Sequence, residues 1–209
     1  MIRFLFISIL AISFFFPSEN DSLLMHMYKD NDWTFIEEEE GITIYMLKNS
    51  ELPIIRLDKN VTSTENLFSI VLDIQNYNNI FSDRTISTEY LFTRKDTIYG
   101  YQIVKNLIPF TRNRHMIFKI YHNGVNRLDW QIIDENSELY LNYKSIRNKE
   151  LTYGGGSWRI LEEGGKKKIR HYFFIDPKVK MPMFFLNSAR KRSVLQAFKD
   201  VLNILESVN

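Results

Sequence analysis

The sequence predicts an α+β fold in which one curved antiparallel sheet wraps around a long C-terminal helix, with two short helices between the third and fourth strands. Three observations support this prediction. Between residues 33 and 175 most segments alternate apolar and polar residues, with the period of two that half-buried strands require. Helical spacing is confined to residues 62–83 and the two ends of the chain body. A glycine pair, Gly164-Gly165, separates two alternating segments as a tight hairpin turn does.

Length and composition favour one domain. The chain has 209 residues, 44% of them hydrophobic, which is enough for one substantial core. Its net charge of +2, with 25% charged residues, is too balanced to indicate nucleic acid, so we predict no nucleic-acid partner. The absence of cysteine excludes disulfides, thiolate zinc sites and a cysteine nucleophile. We expect a monomer.

The first 18 residues have the pattern of a secretory signal peptide. One cation, Arg3, precedes an almost unbroken apolar run from Phe4 to Phe16, which is shorter than the ~20 residues of a membrane span. An uncleaved N-terminal anchor is the alternative, because no cleavage site is well specified. Either interpretation places the chain body, residues 21–209, outside the cytoplasm, in the periplasm or secreted.

The body begins with a short helix and three strands. A small apolar patch predicts the helix within residues 21–32, and alternation predicts strands at 33–37, 41–47 and 53–61. The four glutamates at 37–40 lie between the first two strands. We interpret them as a solvated hairpin turn rather than an acid/base site, because adjacent carboxylates in a turn point in divergent directions.

Two short helices and a series of strands follow. Helical spacing in residues 62–83, with a break near Asp73, predicts the helices. Turn residues separate the predicted strands 85–93, 97–106, 112–121 and 127–133, a weaker candidate strand at 139–146, and the hairpin 154–160 with 168–175. The final helix, from about Met183, has an apolar stripe that needs a surface to cover, and the concave side of the sheet is large enough. The stripe consists of Val194, Leu195, Phe198, Val201, Leu202 and Leu205.

Four short motifs, in this order, suggest a family. They are Trp33 with Gly41-Ile42-Thr43-Ile44-Tyr45, Pro109 with Arg114-His115, Gly156-Ser157-Trp158-Arg159, and Pro177 with Met181-Pro182 and Leu186-Asn187. Together they resemble the START domain, the steroidogenic-acute-regulatory-related lipid-transfer module with a helix-grip fold, in a bacterial exported form. The resemblance extends over residues 33–205. His115 is a departure, because the family usually has an acid there, so the family's pairing around Arg114 is not carried over.

The resemblance implies a tunnel between the sheet and the final helix for one lipid or other apolar molecule. Arg114 shares strand parity with three apolar residues, and the resemblance implies that this face meets the ligand. Two interpretations of Arg114 remain open: contact with a ligand's polar head, or pairing with a structural carboxylate. Gln102 is a candidate facing partner, although its strand can be drawn with either parity. The full predicted ligand-binding set is Arg114, Met116, Phe118, Ile120, Gln102, Trp130, Trp158, Asn187 and Phe198. Core packing is the alternative for the aromatic members, and helix capping for Asn187.

Two further segments fit a lipid-binding protein. Residues 178–192 interleave cations with large apolar groups, which suits transient contact with an anionic membrane surface, and a solvated face is the alternative. The loop at residues 107–110 is apolar, and the resemblance places it where the family's tunnel is gated.

The sequence contains no recognisable catalytic motif. Its four histidines include no pair at metal-ligand spacing, and neither a phosphate-binding glycine loop nor a Gly-x-Ser-x-Gly elbow is present. We interpret His171 as a core histidine. The prediction is non-enzymatic binding or transfer of an apolar ligand, without a cofactor or metal. A polyketide cyclase/aromatase-like or hydrolase enzyme on the same fold is one alternative, and a partner-binding module with a filled tunnel is another.

Overall fold

The structure, a computed structural model, describes residues 23–25, 27–28, 32–48, 54–105, 112–134, 137–143, 148–176 and 183–208, with side chains of the last helix from residue 191 onward. The predicted signal segment, the loop at 107–110 and residues 178–182 lie outside these described residues. Within them, no helix has the length and apolar character needed to cross a membrane.

In the described chain, ten strands form one curved sheet. They are β1 (Trp33–Glu39), β2 (Ile42–Leu47), β3 (Ile55–Val61), β4 (Ile86–Arg94), β5 (Thr97–Val104), β6 (Arg114–His122), β7 (Arg127–Ile132), β8 (Lys149–Glu150), β9 (Gly154–Glu163) and β10 (Lys166–Ile175). The order across the sheet is β1-β2-β3-β10-β9-β7-β6-β5-β4, with antiparallel neighbours, and β8 pairs in parallel with β6. The β9–β10 turn falls at Gly164-Gly165, both with positive φ, as predicted.

The helices confirm the predicted plan with one addition. They are α1 (Leu67–Leu72), a 3-10 turn (Ile74–Asn76), α2 (Tyr77–Ile80), α3 (Glu138–Asn142) and α4 (Met183–Ser207). Helices α1 and α2 lie between β3 and β4, as expected. The predicted N-terminal helix is helical at residues 23–25 and 27.

One prediction from the sequence is wrong. Residues 139–146 were expected to form a strand, but residues 138–142 form helix α3. The Ser137 side chain accepts a hydrogen bond from the backbone N–H of Tyr140, which caps the first turn, and Tyr140 is buried beneath the helix. A serine cap followed three residues later by a buried aromatic therefore decides this short segment in favour of a helix.

Helix α4 packs on one face of the sheet, which we call the inner face. All six residues of its predicted stripe are at most 5% exposed, and they share one core cluster with strand residues such as Ile44 and Leu57. This confirms the predicted stripe, and its burial holds the helix on the inner face of the sheet. Asp200 of α4 also accepts hydrogen bonds from the backbone N–H and the hydroxyl of Ser82, which ties the helix to the chain after α2.

The N-terminal segment packs on the opposite, outer face. Leu23, Leu24 and Met27 are buried there against Tyr172 and Phe174 of β10. The guanidinium groups of Arg127 and Arg159 lie 4.2 and 4.5 Å from the ring centroid of the adjacent Tyr28. The Tyr28 hydroxyl donates to the fully buried carboxylate of Asp129 over 2.6 Å. Both faces of the sheet are therefore covered along part of their area.

The glutamate run at residues 37–40 contains the predicted turn, and it also forms ion pairs with α4. The turn falls at Glu40-Gly41, where both residues have positive φ. A β-bulge between Phe35 and Glu37 shifts the strand register, so Glu37 and Glu39 face the side on which α4 lies. There Lys191 pairs with Glu37, and Lys199 lies 2.7 Å from Glu39. The hydrogen bond from the Lys199 ammonium lowers the pKa of Glu39 below its usual value.

Candidate functional site

The inner face is densely packed at one end and accessible at the other. Ile44, Leu57 and Phe198 are at most 1% exposed in the packed part. Farther along the strands, the inner-face positions become partly exposed although they adjoin the core. We call this region the accessible end; its partly exposed members include Tyr90, Gln102, Val104, Phe173 and Ile175. Strand pairing places Ile175, Phe118 and Tyr90 in one row across the sheet.

The direction of α4 shows which part of the helix covers this end. Lys191 contacts Glu37, which is level with His171 across the sheet, whereas Lys199 contacts Glu39, which is level with Ile169. The helix therefore runs from the accessible end towards the packed end. Its N-terminal turns lie towards the accessible end.

Arg114 lies at the far edge of the accessible end. It is 3% exposed, pairs across the sheet with Val104, and shares its face with Met116 and Phe118, as the predicted parity requires. One guanidinium nitrogen donates to the backbone carbonyl of Arg112. Burial lowers the pKa of Arg114 below its usual value, although an arginine remains protonated. A permanent positive charge is thus held against an apolar wall.

The register of β5 settles the orientation of Gln102. Gln102 pairs with Met116, so both side chains lie on the inner face, with Thr88 of β4 on the other side. The Gln102 amide donates a hydrogen bond to the Thr88 hydroxyl over 2.9 Å. The side chain of Asn78 in α2 donates to the backbone carbonyl of Thr88 and accepts from its backbone N–H. Gln102 and Thr88 therefore form a short polar row across the sheet, next to the row that contains Arg114. The sequence did not indicate Thr88, because only the strand pairing places it beside Gln102.

The apolar wall consists of the predicted residues. Met116, Phe118, Ile120 and Trp130 are each between 2% and 8% exposed and belong to the core cluster. The Trp130 indole lies across Gly156 of the neighbouring strand, where an added Cβ would come within 2.4 Å of the ring. Gly156 is therefore needed for this close approach of side chain to backbone, and a side chain there would displace the wall.

Three aromatic rings close the packed side of this wall. Trp158 stacks on His171 with 4.0 Å between ring centroids, and Phe198 of α4 is nearly parallel to both rings. Trp158 and Phe198 are 5% and 0% exposed, so in this structure they act as core. Asn187 belongs to α4, but its side chain lies outside the described residues.

The titratable groups of the described chain do not form a metal site. No group of three or more histidine, aspartate or glutamate side chains could hold a metal ion there. His115 is 1% exposed on the outer face, beside Tyr101 and Tyr140, and burial lowers its pKa. His171 is buried on the inner face, and burial lowers its pKa to about 3. Both imidazoles are therefore neutral near pH 7.

The neutral state of His171 predicts a loss of stability in acid. Its pKa is about 3 in the folded protein and about 6.5 when unfolded, so the unfolded state binds the proton more readily. Stability from this group is fully present above about pH 6.5 and falls on acidification, by up to about 1.4 kcal/mol per pH unit. Denaturant titrations from pH 6.5 to 5 should show a shallower slope for His171→Phe than for the wild type. Identical slopes would show that His171 titrates normally in the folded protein.

Two surface clefts lie away from this inner wall. One, of about 330 Å³, is lined by Glu39, Lys191, Arg192, Leu195, Gln196 and Lys199, beside the ion pairs of α4. The other, of about 550 Å³, lies on the outer face between Phe92, Tyr99, Lys119 and the segment that contains α3. Neither cleft contains a residue of the predicted ligand-binding set.

Comparison with known proteins shows the fold. The sequence matches no family model and no curated protein. The crystal structure of the STAR-related lipid transfer protein from Xanthomonas axonopodis is similar, with a TM-score of 0.67 and 12% identity over 84% of this chain and 99% of that chain. Human STARD10 has a TM-score of 0.66 and 15% identity over 91% of this chain and 82% of that one. Human StAR-related lipid transfer protein 5 has a TM-score of 0.64 and 12% identity, covering 90% and 93%. The chain has the START-like helix-grip fold that the four motifs predict.

Proposed function

We propose that this helix-grip protein binds a lipid or other apolar molecule between the sheet and the N-terminal part of α4, and carries it without covalent chemistry. The observation that carries the proposal is the apolar inner face, which is packed at one end and partly exposed at the other, at Tyr90, Phe173 and Ile175. Covering apolar surface that is left accessible between two packed elements is favourable, and the apolar body of a ligand can cover it. Arg114 and Gln102 lie on the same face and offer donors to a ligand's polar head, beside the contacts that they make within the protein.

The energetics of such a ligand suit the wall. Each methylene group that leaves water for the space beside Met116, Phe118 and Trp130 contributes about 0.8 kcal/mol. This gain does not depend on the chemical details of the ligand's apolar body, so it supplies affinity with little selectivity. Selectivity must come from the polar groups at the site, of which Arg114 and Gln102 face inward.

The state of His171 argues against a hydrolytic or cyclase-like role for it. A general base works best when its pKa lies near the operating pH, and burial holds His171 at about 3. Its Nδ1 is also engaged with the backbone carbonyl of Ser157 over 3.1 Å. We therefore propose binding rather than turnover. A screen of ester and polyketide-like substrates that found turnover dependent on His171 would overturn this proposal.

We propose further that the body acts outside the cytoplasm and meets membranes transiently. The proposal of export rests on the apolar run from Phe4 to Phe16 behind a single cation. Membrane contact is supported by the cations and large apolar residues of the sequence at 178–192, where each basic residue near an anionic surface contributes about 1 kcal/mol.

Native mass spectrometry tests the binding proposal most simply. Protein purified from its own compartment should contain one lipid-sized molecule per chain, which solvent extraction releases and identifies. A folded protein that is empty after purification, and stays empty after incubation with lipid vesicles, would favour the alternative of a partner-binding module with a filled interior.

A further inference from the structure

The His115 ring is buried on the outer face of the sheet without a hydrogen bond. It is 1% exposed, and among the described residues neither of its imidazole nitrogens has a hydrogen-bond partner. A neutral imidazole carries one donor and one acceptor, and leaving both unsatisfied away from water is unfavourable. The packing around His115 therefore depends on the contacts that its neighbours make with one another.

Two short segments enclose the imidazole, and we call them the cover. They are residues 137–143, which contain α3, and residues 148–151, which contain β8. The Tyr140 ring of α3 lies 6.0 Å from the imidazole between centroids, and the Tyr101 ring of β5 lies 5.7 Å from it. The described contacts of the His115 ring with the cover are thus aromatic and involve no hydrogen bond.

The cover also closes part of the inner wall. Strand β8 pairs with β6 at Arg114 and His115, and the backbone N–H of Leu151 donates to the backbone carbonyl of His115 over 2.8 Å. Leu151 is 1% exposed and belongs to the same core cluster as Met116. Because α3 has five residues and β8 has two, opening the cover costs less free energy than unfolding the sheet.

The groups that face His115 leave its protonated form poorly stabilised inside the cover. Tyr101 of β5 and Tyr140 of α3 are uncharged phenols near neutral pH. Glu150 of β8 attracts an imidazolium, but burial has the larger effect and lowers the pKa of His115 below its usual value. Water reaches the ring when the cover opens, so the pKa there returns to about 6.5. The open state therefore binds the proton more readily, and each pH unit below about 6.5 favours it by up to about tenfold.

We infer that protonation of His115 opens the cover and exposes the inner wall beside Arg114 in mild acid. At neutral pH the uncharged ring allows the cover to close. His171 does not have this local effect, because it is buried against α4 and its protonation acts on the main core. The inference does not depend on the proposed ligand.

Hydrogen exchange at single amides measures the opening. The reporters are the amides of Leu141 and Leu151, which donate to the carbonyls of Ser137 and His115. Their protection factors, the ratios of intrinsic to observed exchange rate, should fall by up to about eightfold in the wild type between about pH 7 and about pH 5.5. In His115→Phe, which keeps an aromatic ring that cannot be protonated, they should stay constant. His122→Phe is the control: this histidine is exposed at the other end of β6, and its variant should respond as the wild type does.

Three outcomes would overturn the inference. One is a wild type whose reporter amides have the same protection at both pH values, and another is a His115→Phe variant that loses protection as the wild type does. The third is reporters as protected as the amides of the β9–β10 hairpin, because equal protection would mean that the whole protein unfolds.

Should His115→Phe not fold, NMR titration of the wild type decides. The imidazole of His115 should titrate below pH 6.5, and the amide of Leu151 should lose protection over the same pH range. An imidazole that is protonated with no change at Leu151 would show that the cover stays closed over a charged His115.

Discussion

Phe198→Ala should lower the free energy of unfolding by about 3–5 kcal/mol, the largest change in stability that we expect from a single side chain. Phe198 is 0% exposed and contacts both Trp158 and His171 across the boundary between helix and sheet. Removing its ring leaves a cavity between two rigid elements, which can close only in part. Equilibrium denaturation with urea measures the change.

The helix provides a matched control for this substitution. Asn203 is exposed on α4, and Asn203→Ala should change stability by no more than about 0.5 kcal/mol. A loss below about 1 kcal/mol for Phe198→Ala would show that the stripe does not hold the helix on the sheet.

Arg114→Met should weaken binding of a fluorescent lipid with an anionic head about ten- to a hundredfold. The methionine keeps much of the volume and the apolar stem but removes the donors. A lost charge-assisted hydrogen bond contributes roughly 1.5–3 kcal/mol, which gives this range. The folded state should lose little stability, or gain some, because a buried charge has been removed. Arg94→Met, at an exposed site on β4, should bind the same lipid as the wild type does.

Thermal melts with and without the lipid separate the two interpretations of Arg114. If the arginine pairs with a structural carboxylate, Arg114→Met leaves that carboxylate buried without its partner, and the free energy of unfolding falls by a few kcal/mol. Affinity would then fall only through unfolding. A variant that melts much lower, yet binds normally while it is folded, would end the proposal that Arg114 meets a ligand's head group.

Local patterns in the sequence were sufficient to predict most of the fold. The spacing of Val194, Phe198 and Leu205 gave the buried face of α4, and the parity of residues 114–120 gave the inner wall of β6. The Gly164-Gly165 turn gave the last hairpin. Each of these depends on residues within a few positions of one another, and their periods of 3.6 and 2 do not depend on the rest of the chain.

The predictions that failed or remained open depend on distant contacts or on very short segments. The orientation of Gln102 required its pairing with Met116, which no pattern within one strand contains. The ion pairs of Glu37 and Glu39 with α4 depend on a bulge that shifts the register, and bulges leave no clear period in the sequence. In the five residues of α3, alternation and helical spacing cannot be told apart, so the Ser137 cap decided the outcome.

Filling the accessible end tests the central claim, that the ligand lies between the sheet and α4. Val104 and Ile103 are adjacent, half-buried residues of β5; Val104 faces inward in the row of Arg114, and Ile103 faces the outer side opposite His115. Titration with a fluorescent lipid should show that Val104→Trp loses binding, because the indole occupies the ligand's place, while Ile103→Trp binds as the wild type does. A folded Val104→Trp variant with wild-type affinity would contradict the account.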